Sequence, residues 1–404
     1  MASLSTRAAE DSIAKLAQDP ACARALAWIV KNSDWITDQQ IRFAEIPAPE
    51  SHEAARGQFL KTLFEAAGLT VHTDSAGNVI AERTAADPAA ILFVAHLDTV
   101  FPAGTDVRVK RDGARLIGPG ISDNAAGLAA LAGLARALAE SAIRTTKTIL
   151  LVGDVGEEGE GNLRGIRALV ESYGPRLAAV IAVDGASADY IATQAIASRR
   201  LEVTVTGPGG HSWSDFGAPN PITAVSRGIV RFSSIRHSKA PRSTFNFGAI
   251  AGGTSVNSIP ARVTVKVDLR SEDAHELARL EAALRTAMQK GVRDEISAAS
   301  AANDALLVSF HSLGERPSGK LPNKSPLLAT IRDADLFLGI SPRLESSSTD
   351  ANIPLSLGIP AVALGAGGTG GGSHTLAEWY DATGRALGLR RLFLIAVALA
   401  GLEH

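Results

Sequence analysis

Apolar positions fall on two periods along this chain, and the switches between them divide it. Up to about residue 87 the spacing is helical. Leu26, Ile29, Val30, Trp35 and Ile36 recur at helical intervals, which predicts one helix over residues 23–43. Pro47 and Pro49 break that pattern, and a second helix is expected over 54–67, with Gly68 where a C′ glycine belongs. Residues 70–83 predict two short strands turning at Ala76-Gly77-Asn78. A continuous apolar run then covers 91–100, ILFVAHLDTV, and two more cover 148–152 and 178–183. Short apolar runs bounded by polar residues read as strands buried on both faces of a parallel sheet. A hairpin-like stretch at 107–117 and a helix carrying Leu128, Leu131, Leu134 and Leu138 lie between them. Strand–helix alternation of this kind predicts an α/β layer with a mixed, largely parallel sheet and flanking helices.

Near Ser198 the period changes to strict alternation. Leu201, Val203 and Val205 alternate with polar residues, as do Val263, Val265, Val267 and Leu269. Strands with one wet face are antiparallel. Helices are expected over 221–235 and over 273–290, the latter with Leu277, Leu280, Leu284 and Met288 on one face and Gly291 after its end. This predicts a small α+β domain inserted at 198–312 between two parts of the first domain, 1–197 and 313–404. In the second part, 325–338 reads as a helix, 345–350 as a Ser-rich loop, 360–364 as a strand and the C-terminus as a long helix.

Composition adds exclusions. The chain has 404 residues, 46 % hydrophobic and 20 % charged, with a formal net charge of -2 and a pI near 6.5. Such a balance carries no electrostatic footprint for nucleic acid. The apolar run 392–402 is too short to span a bilayer and reads as a core helix, so no membrane role is expected. The first residues lack a basic region followed by an apolar one, so no secretory signal is visible. A single cysteine, Cys22, excludes an internal disulfide and suits a reducing, cytoplasmic setting.

The candidate chemistry lies where strands end. His96 and Asp98 are two apart on a strand and share a face. A carboxylate there can fix the imidazole tautomer, or the pair can be a satisfied core histidine and a turn cap. Asp123 can be a helix N-cap, Glu157 and Glu158 a solvated glycine-rich loop, and Asp184-Gly185 an ordinary turn. Position is what raises these readings. His96/Asp98, Glu157/Glu158 and Asp184 each follow a predicted strand, and sites in open α/β sheets form outside those carboxyl ends. His96, Asp123, Glu158, Asp184 and His374 make five ligands. Two zinc ions need about that many if one carboxylate bridges them, with cobalt or manganese as substitutes. Two such ions about 3.5–4 Å apart would hold a hydroxide and polarise a carbonyl. Glu157, beside a ligand, is the candidate base that would take the water's proton and return it to a leaving amine.

At these residues the chain resembles the dizinc metallopeptidases of family twenty, clan MH, which include glutamate carboxypeptidase, peptidase T, aminoacylase and succinyl-diaminopimelate desuccinylase. The matching stretches are AHLDTVFPAG, GPGISDNAAG, GEEGEGNLRG, VDG, GPGGHSW, GGTSVNSIPARVTVKVDLR and GGGSHT, in family order across nearly the whole chain. The resemblance implies two Zn2+ ions, one held by His96, Asp123 and Asp184 and the other by Asp123, Glu158 and His374. Asp123 would bridge, with a following peptide bond that is often cis. Asp98 would orient His96, and Glu157 would be the base. The inserted domain would be a lid through which the chain forms a homodimer. His211 would support the oxyanion, and Asn257 and Arg270 would bind substrate. A structural role for Arg270 on its strand is the alternative.

Three functions compete. The first is metal-dependent hydrolysis of a peptide bond in small peptides, as by a di- or tripeptidase or a carboxypeptidase, with N-acyl amino acid deacylation as its alternative. The second is dinucleotide binding, because Gly365-x-Gly367-x-x-Gly370 fits that fingerprint after a strand, although no later strand with an acidic end follows. The third is a metal-free binding module, against which the intact set of ligand positions argues.

Overall fold

A computed structural model describes residues 12–300 and 306–403. Contacts group the chain into two units, Met1–Ala195 with Gly319–His404, and Ile196–Ser318.

The first unit is built on a nine-stranded sheet. Its strands are β1 (Thr70–Thr73), β2 (Val79–Arg83), β3 (Asp87–His96), β4 (Lys147–Asp154), β5 (Leu177–Val183), β6 (Tyr190–Ala195), β7 (Gly319–Lys320), β8 (Arg343–Ser347) and β9 (Ala361–Leu364). They run in the order β1-β2-β4-β3-β5-β9-β6-β7, with β8 also on β6. The middle four, β4, β3, β5 and β9, are parallel, and the outer pairs β1/β2, β2/β4, β9/β6 and β7/β6 are antiparallel. Ile91–Ala95 of β3 and Ile149–Val152 of β4 are fully buried, as both-face coverage by helices requires. The helix Ala125–Glu140 is rich in Ala and Gly, and nearly every residue of it is buried. It comes so close to β5 that a Cβ on Gly127 would lie 2.4 Å from the Val183 carbonyl.

Several local expectations change. The single helix over 23–43 is two, Pro20–Lys31 and Ser33–Ala44. Asp19 caps the first by accepting from the Ala21 and Cys22 N–H groups, and Asn32 ends it by donating its side-chain amide to the Trp28 carbonyl. Val30 lies on the solvent face of the first helix. Part of the loop expected at 345–350 is β8, a parallel partner of the unexpected strand β6. The hairpin at 107–117 joins Thr369–Gly371 and Trp379–Asp381 in a small antiparallel sheet. The glycine run 365–370 therefore leads into a strand, not the helix a dinucleotide fingerprint requires.

The second unit is a four-stranded antiparallel sheet in the order Ser243–Gly252, Arg262–Ser271, Ala197–Thr206, Leu307–Arg316. The two central strands carry the alternation seen in the sequence. The two outer ones each bury a single position, which weakens their pattern. Because Leu307–Arg316 pairs along its length with Ala197–Thr206, this unit continues to Ser318. Two helices, Pro221–Ser233 and Ala274–Ala298, and a two-stranded pairing of Gly210–His211 with Ser258–Ile259 accompany the sheet. Gly291 does not end the second helix. It lies within it, where a Cβ would sit 2.5 Å from the Ala224 carbonyl, so its work is close helix–helix approach. Among the described residues no helix is long and apolar enough to cross a membrane.

Candidate metal centre and active site

The parallel strands end side by side, and the polar residues follow at once. His96 is the last residue of β3 and pairs in register with Asp154 of β4. The next peptide keeps that ladder, with the Leu97 N–H donating to the Asp154 carbonyl at 2.7 Å. His96 Nδ1 lies 3.1 Å from the main-chain oxygen of Asp98 and 3.7 Å from its carboxylate. The main-chain oxygen is thus the acceptor that orients the ring, leaving Nε2 to face the site. The Asp98 carboxylate has another task. It accepts from the Glu157 N–H at 3.1 Å and the Glu158 N–H at 2.8 Å. Buried Arg56 holds the same strand end by donating to the Leu97 and Ile46 carbonyls.

Asp123 sits just before the helix Ala125–Glu140, on a loop tied down from beneath. Buried Glu378 accepts from the Gly120, Ser122 and Asp123 N–H groups at 2.9, 2.7 and 2.8 Å. The Asp123–Asn124 peptide is cis. Asn124 supplies the N-cap by accepting from the Gly127 N–H, and its amide donates to the Val183 carbonyl. Asp184 follows β5, and its own carbonyl accepts from the Tyr190 hydroxyl at 2.8 Å. His374 stands on a glycine-rich turn at φ 67°, a backbone region unusual for a residue with a Cβ.

These side chains converge. Ligand atoms of His96, Asp123 and Asp184 all lie within 4.8 Å of one another, and so do those of Asp123, Glu158 and His374. Asp123 belongs to both sets, with Oδ1 3.0 Å from His96 Nε2 and Oδ2 3.3 Å from His374 Nε2. His374 Nε2 is also 3.0 Å from Glu158 Oε1. Glu157 falls within the same 4.8 Å of His96 and Glu158, and it is buried.

The charges are strongly coupled. Burial pushes the Asp184 carboxyl up, and the Asp123 charge pushes it further. Burial alone would raise Asp123 too, but hydrogen bonds with His374 and His96 hold it well below the usual carboxylate range. The same contacts with Asp123 and Glu158 lift His374 to about 10. His96 is raised as well, against the opposing effect of its burial, by Asp123 and Asp98. The donor set fits a pair of zinc-class ions: two imidazoles and three carboxylates, one of which is shared.

His211, Asn257 and Arg270 lie in the second unit. His211 is on a two-residue strand paired with Ser258–Ile259. Its Nδ1 accepts from the Trp213 and Ser214 N–H groups. Asn257 accepts from the Ser255 hydroxyl. Arg270 donates to Asp268 at 2.7 Å. Sequence reasoning missed Arg56, Asn124, Tyr190 and Glu378. Each acts on main-chain atoms, Tyr190 six residues away and the others on distant segments, and residue spacing holds no trace of that.

A largely parallel sheet with two acid–imidazole sets at its carboxyl edge defines a hydrolase of the metallopeptidase class. The chain belongs to peptidase family M20/M25/M40, whose model matches residues 92–396. This is a metal-dependent family of peptidases and amidohydrolases. Carboxypeptidase G2 from Pseudomonas sp. (strain RS-16) is 26 % identical over 362 residues, which is 85 % of this chain and 82 % of that one. A tripeptidase from Staphylococcus aureus superposes with a TM-score of 0.75 at 20 % identity, covering 91 % of this chain and 99 % of its own. Aminopeptidase PepT from Bacillus cereus gives 0.71 at 21 %, covering 92 % and 99 %. An amidase of the hydantoinase/carbamoylase family from Burkholderia vietnamiensis gives 0.71 at 20 %, covering 91 % and 97 %.

Proposed function

We propose that this enzyme hydrolyses a peptide bond in small peptides, as a di- or tripeptidase or a carboxypeptidase-like enzyme, with two zinc ions as cofactors. One observation carries the reading: two ligand sets share Asp123, and Glu157 lies against both. His96, Asp123 and Asp184 would hold one ion, and Asp123, Glu158 and His374 the other. Bound divalent cations supply Lewis-acid polarisation of the scissile carbonyl and lower the pKa of water.

The chain's own groups do the rest. Glu157 takes a proton from the attacking water at its carboxylate and delivers it to the amine nitrogen as the C–N bond breaks and the new C–O bond forms. Asp98 holds the Glu157 and Glu158 main chain, so base and ligand keep a fixed separation. His211 would support the oxyanion. Its Nδ1 already accepts two main-chain N–H groups, so the neutral ring carries its proton on Nε2, where it can donate. Asn257 and Arg270 would bind the substrate's main chain or carboxylate, the latter through charge-assisted bonds. We further propose a cytoplasmic homodimer formed through the inserted unit. N-acyl amino acid deacylation is the second reading, supported by an amidase of the hydantoinase/carbamoylase family with the same fold.

The test assays dipeptides, tripeptides and N-acyl amino acids with zinc, cobalt and manganese, beside the variant Glu157→Gln. The variant is expected to keep its metal and lose about 10²–10⁴-fold in kcat, the usual worth of a positioned acid–base group. Full turnover in it, or undiminished wild-type activity after complete metal removal, would overturn the reading.

A further inference from the structure

Glu378 is fully buried and has no place in the chemistry just described, yet its surroundings are specific. Three main-chain N–H groups converge on its carboxylate. Oε1 accepts from Ser122 and Asp123, and Oε2 accepts from Gly120. Its own main chain belongs to the turn that presents His374: the Thr375 N–H donates to the Gly372 carbonyl and the Glu378 N–H to the Thr375 carbonyl. The Glu378 carbonyl in turn accepts from the Gly118 N–H at 2.9 Å. Segments 118–123 and 372–378, some 250 residues apart in sequence, are thus clamped together at one residue. Each carries one partner of the contact between Asp123 and His374. The clamp has a counterpart in Asp98, which ties down the loop of Glu157 and Glu158. The charges of both carboxylates reach buried Arg56.

We propose that Glu378 is a positioning residue, which fixes the main chain of Asp123 against the His374 turn and so sets the separation of the two cation sites. This rests on the two-ion reading given above. The geometry calls for a carboxylate. Both of its oxygens face N–H donors, and an amide of the same shape would turn an N–H2 towards one of them. Buried donors facing donors are strongly disfavoured. A carboxylate one methylene shorter keeps the charge but cannot reach all three N–H groups in this place.

The full chain, stripped of metal and refilled with Co2+, tests this through bound-ion stoichiometry, dissociation constants and the visible d–d spectrum. Wild type should bind two equivalents. Glu378→Gln should keep its far-ultraviolet circular dichroism, bind cobalt about 10–100-fold more weakly, as loss of a group orienting a ligand does, and show an altered d–d band. Glu378→Asp should fall between the two. A Glu378→Gln spectrum and affinity within twofold of wild type would overturn the proposal. So would failure of both variants to fold, which would make Glu378 a residue of stability alone. Wild type that binds no cobalt would sink the two-ion reading itself and this inference with it. Normal wild-type binding with an indifferent variant would sink only the role of Glu378.

Discussion

Two ligand sets of similar chemistry sit at this sheet edge, and the chain holds them in opposite ways. The inner set hangs on the fold itself. His96 ends a central strand and its side chain is 1 % exposed, while Asp184 follows the adjacent strand β5. The outer set hangs on loops. His374 is 54 % exposed on a turn, and Glu158 depends on a glycine-rich loop whose N–H groups rest on Asp98. Only Asp123 belongs to both. The difference teaches that ligand type and rigidity are set separately. Residue identity chooses the ion, while the element beneath chooses how fast and how tightly it is held. On the two-ion reading, the inner ion should be retained under conditions that strip the outer one.

The largest expected effect erases the comparison. Asp123→Ala removes the carboxylate that faces both imidazoles, so both ions should be lost. Turnover should fall by at least about 10³-fold, beyond the usual loss from one preorganised electrostatic group. Retention of one tightly held equivalent, measured by elemental analysis, would show that the sets are independent.

The next pair of variants sharpens it. His374→Ala should release one ion and cost the metal-free chain about 1 kcal/mol, the upper end for an ion pair whose imidazole is half exposed. His96→Ala should also cost one ion but destabilise the metal-free fold by about 2–4 kcal/mol, because it leaves buried partners of the imidazole unpaired. Urea unfolding in chelator measures both. Equal costs would mean that burial of the inner set contributes nothing to holding it.

The same contrast explains what the sequence reveals. The inner set was legible because buried parallel strands are unbroken apolar runs, and residues that end such runs arrive at one edge. His96, Asp184 and, from the outer set, the Glu157–Glu158 pair follow from that argument, whereas Asp123 precedes a helix and His374 lies on a turn. The α/β class followed from the same runs, and the inserted sheet was seen through the alternation of its two central strands. Strands such as β6 and β8 were missed because TQA and ESS carry no pattern without their partners. The helix over 23–43 was drawn too long because an Asn side chain bonding back to Trp28 breaks it without a proline or glycine. Glu378 and Asn124 stayed hidden for a related reason. They bind main-chain atoms, which every residue has, so nothing at the receiving end marks the contact.

Asn124 gives the smallest effect and the finest cut between the two sets. Its side chain donates to the Val183 carbonyl at 2.9 Å and accepts from the Gly185 N–H at 3.3 Å, on either side of Asp184. The same oxygen caps the helix through the Gly127 N–H. Its side chain therefore braces the strand end that carries Asp184, and none of these bonds goes to Glu158 or His374. Asn124→Ala should cost about 1–2 kcal/mol of stability, the sum of a lost cap and a lost buried bond. It should also weaken the inner ion by about tenfold, the low end for an orienting contact, and leave the outer ion unchanged. Asn124→Ser separates the two jobs, since serine caps a helix as well as asparagine but cannot span to Val183. Stability should then recover while inner-ion affinity stays low. If cobalt binding recovers together with stability, the brace is only a cap, and the inner set owes its rigidity to the strands alone.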